Sequence, residues 1–289
     1  MIHRHIHHLS LIALMLAGTP LSGCSADPAA RDALAHDIAG QGRLAARQVV
    51  AEPYLLSAYD RIAAPGQPAD VYIEGDGLAW SGRTTRSPDP TPTDPVALRL
   101  AAVDPAANVI YLARPCQYTK MSDRQQSCDS DDWTNARFSA RIVTAMNNAL
   151  DQIRAQTKVS GFNLIGYSGG GGIAALLTAE RNDVLSLRTV AGNLDHVKFN
   201  ENHNVSPMTG SLNPRDVAYK TVSVPQLHFI GGDDTVVTPD IYQSFYLASA
   251  RAGTPSCIHS ETVRGITHGD GWVERWPELL ARPVSCQKQ

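Results

Sequence analysis

The chain has 289 residues, with 25 lysines and arginines against 28 aspartates and glutamates, a net charge of −3 and 43% hydrophobic residues. That length fills one large α/β domain with a full core. Mild acidity, the lack of any run of basic residues and a sparse 6% of aromatics give neither an electrostatic footprint nor a stacking platform, so no nucleic-acid partner is expected.

Taken in chain order, Met1–His8 carries one arginine and no acid, Leu9–Leu16 is almost wholly apolar, and Leu21-Ser22-Gly23-Cys24 closes the segment. This resembles a bacterial lipoprotein signal peptide (1–23) ending in a lipobox. It implies export, lipidation of Cys24 and anchoring to the cell envelope, on the periplasmic face or the cell surface. The apolar run is about half the roughly 20 residues of a membrane span, which argues against a retained transmembrane helix. His3, His5, His7 and His8 read as the polar front of a removed peptide rather than a metal tract. Removal of 1–23 takes Arg4 and leaves 24 basic against 28 acidic residues, a net charge of −4.

Residues 24–48, rich in Ala and Asp, read as a tether that can carry a short helix, ahead of a catalytic-size domain over 49–289. Strands are expected at Val71–Ile73, Asn108–Leu112, Phe162–Ile165, Leu187–Val190, Leu227–Ile230 and Ile258–Val263. The clearest helices between them are Asn135–Gln156 and Asp240–Arg251, and Ser87–Pro95, with four prolines, reads as an exposed loop. Such alternation predicts an α/β fold with a doubly wound, mostly parallel sheet, and ligand chemistry at the carboxyl ends of its strands.

Five cysteines occur. With Cys24 lipidated, Cys116, Cys128, Cys257 and Cys286 remain, an even number suited to an oxidising compartment. Of three pairings, Cys116–Cys128 and Cys257–Cys286 are preferred, since a strand or terminal helix can bring each pair together. No Cys-x-x-Cys pair exists, so zinc and thioredoxin-like redox sites lack their ligands. No metal or cofactor is expected.

The densest signal is Phe162-Asn163-Leu164-Ile165-Gly166-Tyr167-Ser168-Gly169-Gly170-Gly171-Gly172, followed by an Ala/Leu-rich stretch to about Glu180. It reads as strand, sharp turn, helix, with Gly-x-Ser-x-Gly placing a hydroxyl clear of the sheet. A phosphate loop fits worse, because no Gly-Lys-Ser/Thr follows. A serine hydroxyl needs a base, and the base needs an orienting group. Leu227–Val237 is a strand ending in Gly231-Gly232-Asp233-Asp234, and His268 lies in a loop after the last strand. Asp234 falls 66 residues after Ser168 and 34 before His268.

The order Ser168, Asp234, His268 closely resembles the α/β-hydrolase superfamily. The likeness covers roughly residues 50–285. It implies a serine esterase acting on a small or medium ester or other acyl substrate through an acyl-enzyme, with Ser168 as nucleophile, His268 as base and then acid, and an aspartate fixing the imidazole tautomer. Alignment of Gly231, Asp234 and Val237 with the superfamily's Gly-x-x-Asp-x-x-Val favours Asp234 over Asp233, with Asp195 a distant third. It also implies oxyanion donors from the backbone N–H of Gly169 and, in Glu74-Gly75-Asp76-Gly77, of Asp76. Many relatives have His-Gly where this chain has Glu74-Gly75, and an inward Asp76 carboxylate would oppose an oxyanion unless it turns away or forms an ion pair. A serine peptidase, a thioesterase, or an inactive binding lipoprotein with the same fold are the alternatives.

His228 lies within a strand and reads as a core histidine. His196 and His203 fall in the roughly 25-residue segment from Asp195 to Lys220, too short for a large lipase lid and more simply surface positions than substrate contacts. Asp129-Ser130-Asp131-Asp132 lacks an EF-hand's glycine and glutamate and reads as a turn or helix cap. Asn204-Val205-Ser206 matches a glycosylation sequon, of little meaning in a bacterial lipoprotein. Trp80 and Trp133 read as core residues before pocket residues.

Overall fold

The computed structural model describes residues 27–119, 127–253 and 255–286. The signal segment 1–23 and Cys24 lie outside the described residues. Among the described residues no helix is long and apolar enough to cross a membrane.

Eight strands form one sheet: β1 (Ala45–Ala51), β2 (Tyr54–Ile62), β3 (Ala69–Ile73), β4 (Asn108–Leu112), β5 (Phe162–Tyr167), β6 (Val184–Val190), β7 (Gln226–Gly231) and β8 (Ile258–Val263). Their order is β1-β2-β4-β3-β5-β6-β7-β8. β1 and β2 pair antiparallel, β2 meets β4 antiparallel, and every pairing from β4 to β8 is parallel. All six expected strands are present. The central ones read as continuous apolar runs because helices cover both faces.

On one face the core gathers α3 (Ala140–Thr157), α4 (Gly169–Glu180) and α7 (Pro239–Ser249); on the other, α1 (Pro28–Gln41), α2 (Val96–Ala102) and α8 (Trp272–Leu280). α3 starts five residues later than expected because the Ser139 hydroxyl caps it by accepting from Ile142 N–H. Trp272 and Trp276 are fully buried on the α8 side. β6 and β7 are joined through α5 (His196–His203) and α6 (Pro214–Val217).

The tether expected over 24–48 is corrected from residue 28 onward. Asp27 caps α1, Pro28 occupies its first turn, and Ala35, Ile38 and Ala39 are buried against the sheet's α2 side. Residues 45–51 then form β1, an edge strand whose register runs from Ala45 opposite Asp60 to Ala51 opposite Tyr54. The folded domain therefore includes the chain from residue 27 onward, ahead of the expected boundary at 49. The physical reason is that the buried i, i+3 and i+4 positions are Ala35, Ile38 and Ala39, so α1 approaches closely with little hydrophobic mass, a weak signal in sequence.

The disulfides Cys116–Cys128 and Cys257–Cys286 both form.

Candidate active site

The site lies where the parallel strands end. β5 delivers Ser168 directly, and α4 starts one residue later. Ser168 holds φ 50° and ψ −120°, a conformation an L-residue adopts only under constraint. Three bonds supply it: Ser168 N–H donates to Val190 O, and Ser168 O accepts from Gly171 and Asn193 N–H. Any side chain at 166 would collide with the backbone of Gly170 and Gly171, so the tight turn requires glycine there.

His268 follows β8. Its Nε2 lies 3.0 Å from Ser168 Oγ, and its Nδ1 lies 2.9 Å from Asp234 Oδ2. Asp234 sits in the turn after β7, its carboxylate fully buried, and its other oxygen accepts from Val236 N–H at 2.7 Å and Val237 N–H at 2.9 Å. A carboxylate so anchored fixes the proton of His268 on Nδ1 and leaves Nε2 as acceptor toward the serine. The His268 carbonyl is clamped in turn by Tyr167 Oη–H and Trp272 Nε1–H, both at 3.0 Å. Asp233, the neighbouring alternative, is exposed. Asp195 is buried elsewhere: it caps α5, accepts from Asn213 and Ser244, and pairs with Arg215 at 3.5 Å.

The loop after β3 brings Asp76 against Gly169, so closely that any side chain at 169 would strike the Asp76 carboxylate. Among the described residues, neither the Gly169 nor the Asp76 N–H donates to a protein acceptor. Both are therefore free to receive a developing oxyanion, as a helix N-terminus and its flanking loop permit. The Asp76 carboxylate is ion-paired, with Arg114 Nη1 at 3.2 Å and Arg137 Nε at 3.1 Å. Both guanidinium groups also lie over the Phe138 ring. Gln117, next to the Cys116–Cys128 bridge, donates from Nε2 to Gly75 O at 3.0 Å and supports the same loop.

Arg114, Arg137 and Gln117 are absent from the sequence reading. Arg114 had one legible signal: it lies just past β4, at the carboxyl end of a parallel strand. Arg137 had none, because it approaches from the segment before α3.

Glu74 turns away into the core. Its carboxyl accepts from Gly75 N–H at 2.9 Å, Ala97 N–H at 3.4 Å and Tyr111 Oη–H at 3.1 Å. Burial pushes its pKa up to about 7, against the pull of these donors. His228 is a buried histidine between Thr189 Oγ1 at 2.8 Å and Gln226 Oε1 at 3.1 Å, its pKa driven down to about 3 by burial. Trp133 is buried with Nε1 donating to Ser87 O, whereas Trp80 is 42% exposed and so not a core residue. Asp129 caps a 3-10 turn, Asp131 pairs with Arg86 and Asp132 with Arg141, which accounts for the acidic run. His203 ends α5 with Nε2 2.7 Å from Val236 O, holding that helix to the Asp234 turn, and Asn204 caps it in a left-handed conformation. His196, expected at the surface, is buried to 4% exposure.

Sheet order, elbow and the Ser168–His268–Asp234 relay together define an α/β hydrolase. A family model described as Serine hydrolase (FSH1) matches residues 97–261, more than half the chain. The chain belongs to this serine hydrolase family. Among solved structures it is similar to Est1E from Butyrivibrio proteoclasticus, 14% identical over 82% of this chain and 96% of that one, TM-score 0.56. A Pyrococcus furiosus esterase is 13% identical over 82% and 88%, TM-score 0.56. Pyrococcus horikoshii acylaminoacyl peptidase is 10% identical over 85% of this chain and 42% of that one, TM-score 0.59. At such identities the likeness is one of fold. No curated protein matches the sequence.

Proposed function

We propose that this serine hydrolase cleaves carboxylic esters of small or medium size through an acyl-enzyme on Ser168. The observation that carries the reading is the continuous relay from Ser168 Oγ through His268 to a buried, doubly anchored Asp234. Ser168 Oγ attacks the ester carbonyl carbon as His268 Nε2 takes its proton, and Asp234 stabilises the imidazolium. Negative charge developing on the carbonyl oxygen is met by the N–H groups of Gly169 and Asp76. His268 then gives its proton to the departing alkoxide. Water, activated by the same imidazole, releases the acid and restores Ser168.

The Asp76 carboxylate beside that oxyanion is the strongest argument for an inactive binding lipoprotein. Its pairing with both Arg114 and Arg137 supports the active reading, since the cluster carries a net positive charge. A peptidase or thioesterase is the second reading, drawn from the acylaminoacyl peptidase among the similar folds. The test is p-nitrophenyl acetate turnover beside the matching thioester and p-nitroanilide. Ester turnover that dominates, and that is abolished in Ser168→Ala and His268→Ala, is expected. Equal rates in all three proteins would refute it.

We further propose that the chain is exported and lipid-anchored through Cys24, on the argument of the lipobox-like segment and two disulfides suited to an oxidising compartment. Radiolabelled palmitate should enter the wild type and not Cys24→Ala. Label in both would exclude Cys24 as the site.

A further inference from the structure

A cavity of about 580 Å³ lies between α5 and the segment leading into α6. That volume is in the range that holds a drug-sized ligand. Its walls include Val197, Val205, Pro207, Met208, Leu212 and Val217. Three of these are conspicuously uncovered, Val197 at 50%, Val205 at 52% and Leu212 at 41% exposure.

One wall, formed by His196 and Asn213, backs through the buried Phe138 and Pro214 onto the first turn of α4, the helix that Ser168 precedes. Asn193 N–H holds the Ser168 carbonyl, and a Cβ placed on Gly172, in the first turn of α4, would meet Asn193 O at 2.7 Å, Pro214 Cγ at 3.3 Å and Phe138 Cε1 at 3.4 Å. Phe138 in turn stacks on His196, ring centres 6.0 Å apart and planes at 27°. His196 lines the cavity. Neither of its ring nitrogens has a hydrogen-bond partner of ordinary geometry, although the Ser211 backbone lies close enough to favour the protonated form. Burial, and then the Arg137 charge, outweigh that influence and lower the His196 pKa, so the ring is neutral, with one donor and one acceptor to offer. An unpaired polar group this buried costs free energy that a ligand atom would recover.

The lining also sets a charge preference. Its only charged members are Glu201 and Asp216, both at the exposed mouth, with Lys198 3.9 Å from one and Arg215 3.8 Å from the other. No cation lines the cavity itself.

We propose that this cavity is the specificity subsite for one arm of the substrate, an uncharged and mainly apolar chain whose mid-chain ether, hydroxyl or amide group hydrogen-bonds to His196. The assignment rests on the esterase reading and names the substrate class that reading leaves open. An acetyl ester is too short to fill the cavity. An arm of medium length displaces water from Val205, Met208 and Leu212, and a carboxylate-tipped arm meets Glu201 and Asp216.

The test compares kcat/KM for p-nitrophenyl acetate, octanoate, the isosteric ether ester with oxygen replacing a mid-chain methylene, and the mono-ester of a dicarboxylic acid of equal length. Wild type should prefer the neutral medium chains over acetate and over the carboxylate-tipped ester by tenfold or more. Val205→Trp, with Leu212→Trp as a second filling variant, should lower the octanoate-to-acetate ratio at least tenfold. Leu247→Trp, an exposed position outside the cavity, should leave the ratio within twofold. Wild type should also turn over the ether ester several-fold faster than octanoate, and His196→Phe, which keeps the ring against Phe138, should erase that difference; equal wild-type rates for the two overturn the role of His196. An unchanged ratio in both filling variants overturns the subsite, and preference for the carboxylate-tipped arm overturns the charge argument. If no ester is turned over, the esterase reading has failed separately. The cavity is then read by calorimetry of N-butylhexanamide on Ser168→Ala, where binding weakened tenfold by Val205→Trp supports it and no binding refutes it.

Discussion

Replacing Asp234 by asparagine tests the relay at the point where the geometry is most constrained. Asp234 Oδ1 accepts from two backbone donors, Val236 and Val237 N–H, while Oδ2 faces His268 Nδ1 at 2.9 Å. An asparagine must keep its carbonyl oxygen toward those two donors. The reverse rotamer would set an NH₂ group against two N–H groups, and each unsatisfied donor costs about 1–3 kcal/mol. The amide nitrogen therefore faces His268 and donates to Nδ1, which moves the imidazole proton to Nε2, opposite Ser168 Oγ at 3.0 Å. A base with its proton already in place accepts none. The expected loss in kcat for p-nitrophenyl acetate is on the order of 10³ to 10⁴, about 4–5.5 kcal/mol of barrier. Asp233→Asn changes an exposed side chain outside the relay and should stay within twofold. A loss below tenfold for Asp234→Asn, or a larger one for Asp233→Asn, would refute the tautomer argument.

Arg137→Gln leaves the Asp76 carboxylate with Arg114 alone beside Gly169. Charges about 4 Å apart near a protein surface interact by about 4 kcal/mol before Arg114 offsets part of it, so kcat should fall between about tenfold and a hundredfold with KM little changed. Asp76→Asn in the same protein should restore most of it, and no restoration would separate Asp76 from the oxyanion. Glu74 gives a pH signature. Its pKa of about 7 lies above the ordinary 4.5, so between those values the folded chain keeps a proton that the unfolded chain loses, and stability declines as pH rises through that window. The full span is worth about 3 kcal/mol, and Glu74→Gln should flatten the decline in Tm between pH 5 and pH 8. A wild-type Tm constant over this range would contradict it. Cys116→Ala with Cys128→Ala opens a loop of 12 residues, worth about 3 kcal/mol in unfolded-chain entropy. Calorimetry should record a Tm lower by about 6–12 °C, and an unchanged Tm would mean the bridge does not stabilise the fold.

The relay was legible in sequence because each member sits at a strand end in a short local motif: Gly-x-Ser-x-Gly for Ser168, Gly-x-x-Asp-x-x-Val for Asp234, and a loop after the last strand for His268. The parallel strands were legible as apolar runs. β2, reading Tyr-Leu-Leu-Ser-Ala-Tyr-Asp-Arg-Ile, is just as buried over its first seven residues, yet it lies in a part of the chain without motif or helix to frame it. β1 faces outward at most of its positions and α1 buries one large apolar side chain, Ile38, beside Ala35 and Ala39, so neither shows an amphipathic pattern strong enough to outweigh a tether-like composition. The conflict posed by Asp76 was visible in the sequence, but its resolution was not. Arg114 and Arg137 reach it from 38 and 61 residues along the chain, and only the fold brings them there. His196 was misplaced for a similar reason: the segment after Asp195 reads as polar, while Phe138 from another part of the chain covers the ring.

Activation of the Ser168 hydroxyl by His268 is open to direct chemical measurement. A fluorophosphonate probe reacts with a serine hydroxyl only where a base takes its proton, and peptide mass spectrometry of the labelled protein reads the site directly. Stoichiometric label is expected on Ser168 in the wild type, none on Ser168→Ala, and labelling slowed by at least a hundredfold in His268→Ala. Absence of label on the wild type, or label on another serine at the wild-type rate in Ser168→Ala, would contradict it.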